Sequence, residues 1–240
     1  MKKRSRPQRK KAAVSAVLTA GTLLAALSAP SGAYAESRID AAARPSAYSL
    51  GAAGDFSGKV PAAGQTEAQA RQKRQVMQQA QRSLRALADG DLDKLADLAA
   101  PSGIRFSPYA YVSKEKDVVL TAGQLRGLKT DKKAYVWGEY DGSGEPIRLD
   151  FYSYYNEFLH NLPYTAPNAI GYNRIVRSGN TRSNLTEVYP NAAFVEFYVK
   201  GGRSEHPSSQ GMDWGSLRFV FEKNGGEWKL AGIVGDRWTI

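Results

Sequence analysis

Chemistry in this chain must be done with few of the usual groups, since its 240 residues hold two histidines, His160 and His206, and no cysteine. His160 closes an aromatic segment, where an imidazole near a helix C-terminus is ordinary capping. His206-Pro207 falls in a polar loop between Gly201 and Gly211. No helical pattern carries histidines four apart, so the common zinc spacings are missing and neither a metal site nor a cofactor is expected. There is no Gly-x-Ser-x-Gly elbow and no phosphate loop. What remains is carboxylate beside aromatics. Asp213-Trp214 leads into a strand containing Arg218, and Asp236 stands two residues before Trp238. Asp213, Asp236 and His160 are therefore the candidates for proton transfer. Tyr109, Tyr111, Trp137, Tyr140, Tyr155, Trp214 and Trp238 are the candidates for holding a ligand. If Leu217, Phe219 and Phe221 face the core, Arg218 and Val220 face the other way, and a surface Asp–Arg pair is the simplest account of that arginine. The tyrosines at 152, 154, 155, 164 and 172 have the flat apolar faces that stack on sugar rings; core packing accounts for most of them equally well.

These residues are carried by a pattern of helices first and strands later. Thr66, with Gln69 three residues on, sets up a capping box for a helix whose Val76, Met77, Ala80, Leu84 and Leu87 recur at helical spacing. Asp89-Gly90-Asp91 interrupts it, and Asp91 caps a second helix with Leu92, Leu95 and Leu98, ended by Pro101 and Gly103. Ile104 to Val112 and Asp117 to Leu120 read as extended, and Thr121 caps a brief helical turn. Ala134 to Tyr140 and Ile147 to Asp150 form a hairpin through Asp141-Gly142-Ser143-Gly144. Phe151, Tyr154, Tyr155, Phe158 and Leu159 then fall on one face of a third helix. Asn173 to Arg177, Ala193 to Lys200, Leu217 to Lys223 and Trp228 to Val234 are rich in β-branched and aromatic residues, the last two joined by Asn224-Gly225-Gly226. This order predicts an α+β domain in which a curved antiparallel sheet wraps on about three helices. Val195, Phe197 and Val199 alternate with Phe194 and Tyr198, so one strand is apolar on both sides, and one of those sides is a candidate homodimer surface.

The first 35 residues read as a secretory signal peptide. Seven basic residues precede an uncharged stretch from Ala12 to about Ala29, helix-breaking Pro30 and Gly32 follow, and Ala33-Tyr34-Ala35 has the small-x-small pattern of a cleavage site. The apolar core is too short and too diluted by Ser15, Thr19, Gly21 and Thr22 for a membrane span, so no stable membrane anchor is expected after cleavage. A secreted or extracytoplasmic location follows, with association to the cell wall as one form of it. The net charge of +10 belongs mostly to that leader; without it the chain carries +3, and from Ser83 to Ile240 there are 19 basic and 19 acidic residues. That balance argues against nucleic acid as a partner. Residues 36–66, dominated by Ala, Gly, Ser and Pro, read as a disordered linker, and 67–240 as the folded domain. Lacking cysteine, that domain must be held by a packed core rather than by disulfides.

Three segments in this domain carry a family resemblance. Gly90-Asp91-Leu92 after the first helix, Pro101-Ser102-Gly103-Ile104-Arg105-Phe106-Ser107-Pro108, and Glu227-Trp228-Lys229-Leu230 on the last long strand resemble the nuclear-transport-factor-2-like (NTF2-like) superfamily over roughly Gln69 to Ile240. Tyr109, Trp137 to Gly144, Gly211-Met212-Asp213-Trp214 and Trp238-Thr239-Ile240 are similar to an uncharacterised secreted bacterial group within it. Relatives in that group tend to have His-Asp before the closing Trp-Thr-Ile, where this chain has Gly235-Asp236-Arg237. The resemblance implies a cone whose open end is a pocket between sheet and helices, used in the superfamily for lyase, isomerase or hydrolase chemistry, for ligand binding, or as a dimerising scaffold. With so few titratable groups, the expected function is a secreted, non-catalytic binding or interaction module with a small apolar or glycan ligand. The alternatives are a small-molecule lyase, isomerase or hydrolase using a pocket Asp, and a protein associated with cell-wall glycan.

Overall fold

The computed structural model describes residues 66–203 and 211–239; the segments read from the sequence as a signal peptide (1–35) and, apart from Thr66, as a linker (36–66) lie outside the described residues, as does His206. Thr66 caps the first helix, α1 (Glu67–Ala88), as its spacing requires: its hydroxyl accepts from the Gln69 amide while the Gln69 side chain accepts from the Thr66 amide. Val76, Ala80, Leu84 and Leu87 make its buried stripe. Gly90 takes the positive φ that the break demands, and Asp91 caps α2 (Leu92–Leu98) through the Lys94 amide. A second capping box, Thr121 with Gln124, starts the short α3 (Ala122–Gly127).

The strands are β1 (Ile104–Ser107), β2 (Val118–Leu120), β3 (Tyr135–Glu139), β4 (Pro146–Leu149), β5 (Ala169–Tyr172), β6 (Ala193–Val199), β7 (Gly215–Asn224) and β8 (Glu227–Arg237). Six of them form one sheet in the order β2-β1-β8-β7-β6-β5, while β3 and β4 pair only with each other. The sheet is curved, and an irregularity in the β7–β8 register at Val220/Phe221 is the kind of bulge that bends a strand pair. It is not wholly antiparallel: β1 lies parallel to β8, with Phe106 opposite Ile233.

The sheet is covered on both faces. Val195, Phe197, Val199, Leu217, Phe219, Phe221 and Ile233 point inward and join the helices in the main core, with α1 laid across β6, β7 and β8. The opposite face carries Phe194, Val220, Ala231 and Val234, covered by Val112, Leu185 and Tyr189. Leu185 belongs to a short helix, α5 (Leu185–Val188), which no sequence period announces. Phe194 is thus buried under the chain's own residues, so that side of β6 is not the open surface its alternation suggests.

Three other expectations are corrected. The extended run from Ile104 ends at Ser107, because Pro108 has no amide to continue a ladder. Strand β5 lies before Asn173 rather than after it. Asn173 bends the chain at φ 46 and accepts the Phe194 amide, and the amides of Val176 and Arg177 go to the Glu196 carboxylate instead of a neighbouring strand. The aromatic helix starts as α4 (Phe151–Tyr154), capped by Asp150, and then widens into a π turn over Tyr155–Leu159, with the His160 amide reaching the Tyr155 carbonyl.

Candidate functional site

The axis of the cone is occupied by a column of flat side chains from three separate elements. Trp137 of β3 stacks on Tyr154 of α4 with centroids 4.0 Å apart, and Tyr154 stacks on Phe158 of the π turn at 4.9 Å. The Arg237 guanidinium at the end of β8 then lies 4.3 Å from the Phe158 centroid and 5.5 Å from that of Tyr109. Phe106 and Phe151 meet the column edge-on or tilted. The π turn keeps Tyr154 and Phe158 in line while Tyr155 turns away, donating its hydroxyl at 2.8 Å to the Leu87 carbonyl at the end of α1, which also accepts from the Gly90 amide.

At the open end of this column, Arg237 donates from Nη1 to the Glu157 carbonyl at 3.2 Å, and among the described residues it forms no ion pair. Beside it the Tyr140 hydroxyl donates to Glu157 Oε2 at 3.3 Å; burial, then the nearby Glu157 charge, push that phenol up. Deeper in, Tyr154 is fully buried and its hydroxyl has no partner. Burial raises that phenol as well, with the Asp117 charge adding to the shift and Arg237 opposing it.

Asp117 is the second polar feature of the interior. It accepts from the Ser107 hydroxyl and, at 3.0 Å, from the Ser113 amide. Burial outweighs those bonds and pushes its carboxyl up to about 6. The loop that brings it there is clamped by Arg105, which donates to the carbonyls of Ser113 and Lys114.

A third group lies on the outer face of the sheet. Arg218, fully buried, donates from Nε to Glu196 at 3.1 Å and from Nη2 to Asp236 at 2.6 Å and to the Arg177 carbonyl at 2.9 Å. Glu196 also accepts from Ser216 at 2.6 Å. Two sheet side chains, Glu196 and Arg218, therefore hold the backbone of residues 176–177 against the strands. Two carboxylates face one guanidinium; burial pushes the Asp236 carboxyl up, with Arg218 pulling the other way. This replaces the expected surface pair: Arg218 does leave the inward face, but it is sealed beneath the covering segment.

The sequence-derived candidates are dispersed over these environments. Asp236 is in the outer charge cluster. Asp213 sits in the loop before β7, accepting from the Gly202 and Arg203 amides at 2.6 and 2.7 Å. His160 is exposed and stacks on Tyr155 at 5.2 Å, beside a cavity of about 50 Å³ lined by Leu84, Leu87, Leu162 and Tyr164. Trp137 is buried and donates to the Leu149 carbonyl. Trp214 is buried on the outer side under Arg177. Tyr111 and Trp238 are 55% and 42% exposed. Of the whole set, Tyr109 and Tyr140 come together around Phe158, with Arg237 against Tyr109 and Phe158, and His160 and Tyr155 pair with each other. Asp117, Tyr154's orphan hydroxyl and Arg237 were not among the sequence-derived site candidates; a charged residue at the inward-facing end of the last strand was the one signal that could have pointed to Arg237.

A larger hollow, about 340 Å³, lies outside the cone between α1 and α2, lined by Arg82, Arg85, Asp89, Lys94 and Asp97 among others. Among the described residues no group of three or more His, Asp or Glu could hold a metal ion, and no helix is long and apolar enough to cross a membrane.

No family model and no curated protein matches the chain. Among solved structures, a candidate calcium/calmodulin-dependent protein kinase II association domain from Xanthomonas campestris is 17% identical, covering 75% of this chain and 93% of its own, at a TM-score of 0.29. A candidate dehydratase of the NTF2-like family from Streptomyces avermitilis is 14% identical over 70% of this chain and 97% of its own, at 0.31. An NTF-2-like protein of unknown function from Shewanella oneidensis is 14% identical over 69% and 98%, at 0.30. This chain's own strand order and its curved sheet over helices make an α+β fold consistent with the cone that the sequence resemblance implies.

Proposed function

We propose that this protein is a non-catalytic interaction module of an exported chain, engaging a wall glycan at the open end of a cone that its own side chains fill. The observation that carries this reading is the Trp137–Tyr154–Phe158–Arg237 column. A substrate pocket needs room for a ligand beside its catalytic groups, and here the axis is taken up by packed rings. The two aspartates proposed as bases are engaged elsewhere, Asp213 with backbone amides and Asp236 with Arg218. The leader-like first 35 residues, the linker-like segment after them and the exposed Tyr111 and Trp238 support a role at an extracytoplasmic surface, since exposed aromatic faces stack on sugar rings.

The test is sedimentation of the purified protein with purified cell-wall material. Retention that soluble wall glycan competes away is the expected result. A protein that stays wholly in the supernatant sinks the reading.

A further inference from the structure

Asp141 opens the turn between β3 and β4, and among the described residues no lysine or arginine forms an ion pair with it. Asp91, Asp93, Asp97 and Asp236 each have such a partner. The neighbours of Asp141 are oxygens instead. Its Oδ2 lies 2.7 Å from the Thr181 hydroxyl and 2.5 Å from the Thr239 hydroxyl, and Thr239 Oγ1 is also 2.8 Å from Asn180 Oδ1. The β3–β4 turn, the segment after β5 and the tail after β8 are distant in the chain, yet all three meet at these atoms.

Protons are too few for these contacts. A hydroxyl has one hydrogen to give, and that of Thr181 goes to Asp141. The Thr239 hydroxyl faces two acceptors with its single hydrogen, and an ionised carboxylate brings none; bonds from Thr239 and then Thr181 hold that carboxyl below its usual range. The Asn180 amide cannot turn round to help, because its Nδ2 donates to the Thr239 carbonyl at 2.7 Å and its Oδ1 accepts from the Thr239 amide at 3.3 Å. One of the two oxygen–oxygen contacts of Thr239 Oγ1 is therefore left without a hydrogen between its atoms. A cation shared by the oxygens relieves that contact and balances the lone carboxylate. Carboxylate, hydroxyl and amide oxygens, without nitrogen or sulfur, are the hard donors that suit calcium. Asp141 and Asn180 are exposed and the two threonines half-buried, so an ion can enter and water can complete its six to eight ligands.

We infer that Asp141, Asn180, Thr181 and Thr239 form a calcium site that clips the β3–β4 turn and the C-terminal tail to the segment after β5. It gives a role to two stretches singled out in the sequence, Trp137 to Gly144 and Trp238-Thr239, and it is independent of the wall-binding reading above. With one carboxylate among its ligands, the site should hold calcium with a Kd of about 0.1–1 mM, the weak end of the known range.

Terbium, which replaces calcium at oxygen sites, is the first probe, since the exposed Trp238 beside Thr239 can pass excitation to it. Titration of the purified protein with terbium chloride should give saturable tryptophan-excited emission, which calcium chloride displaces and sodium chloride of equal ionic strength does not. Isothermal titration with calcium chloride then gives the affinity. Asp141→Asn should weaken it about 10-fold or more, because the site loses its one charge, while Glu227→Gln at the exposed β7–β8 turn leaves it unchanged. Circular dichroism and the thermal midpoint without calcium check that the variant folds. If Asp141→Asn does not fold, Thr181→Val takes its place; it removes one ligand oxygen and should weaken binding several-fold. Calcium should also raise the thermal midpoint of the wild type more than that of the variant. Equal affinity in whichever variant folds overturns the site, as does emission that calcium does not displace, or the absence of saturable calcium binding up to about 10 mM.

Discussion

Arg218 shows how differently one arginine can be valued by sequence and by surroundings. Its alternation with Leu217 and Phe219 places it off the inward face, yet it is fully buried between Glu196 and Asp236. Removing it leaves two buried carboxylates without their counter-charge, so Arg218→Met should cost about 3–5 kcal/mol in urea unfolding. Asp236→Asn should cost much less, because the amide oxygen still accepts from Arg218 and the surplus negative charge is gone. Asp117 provides a pH test at the same scale. Its carboxyl stands at about 6 in the folded chain against an ordinary 3.8, so the folded state binds the proton more tightly than the unfolded one. That contribution is fully present below pH 3.8 and is lost as the pH rises through about 6. The thermal midpoint should accordingly fall between pH 5 and pH 7.5, and Asp117→Asn should flatten this segment of the profile. An equally steep profile in the variant would remove Asp117 as its source.

At the scale of elements, the hairpin β3–β4 serves as a plug, since it pairs with no strand of the main sheet yet supplies the buried Trp137. Trp137→Ala should cost about 3–5 kcal/mol, and an apolar dye added to the folded variant should report the hollow left behind. The bend after β5 is a second sensitive point. A methyl group on Gly171 would meet the Arg174 carbonyl oxygen at 2.2 Å, so Gly171→Ala should destabilise by about 1–3 kcal/mol, measured by the same urea titration. Both capping boxes, the Gly90 break and the two glycine-rich hairpin turns are readable in the sequence because each depends on residues a few positions apart. The parallel pairing of β1 with β8 is not, since nothing in a four-residue strand names a partner near the other end of the domain. The covering segment with α5 has no period to read, which is why the burial of Arg218 and Phe194 escapes the alternation that correctly sets their side. The column escapes for a similar reason: Trp137, Tyr154, Phe158 and Arg237 belong to separate elements, and only the tertiary fold lines up their planes.

For the whole molecule, the main consequence is that both faces of the sheet are occupied, the inner one by helices and rings and the outer one by residues from the loop after β1 and the segment after β5. Interaction is left to the ends and edges of the sheet, where Tyr111, Met212 and Trp238 are exposed. A chain ending at Asn224 would lose β8, and with it the neighbour of both β1 and β7, Asp236 and Arg237. It should remain unfolded by circular dichroism and be cut rapidly by protease, and a protected core in that truncated chain would show that the other strands close without it. The central place of β8 also bears on timing. The strand that joins the early β1–β2 pair to the rest of the sheet follows all the other described strands along the chain, and such a distant pairing is slow to close. Until β8 is in place the sheet stays open, its two parts unpaired.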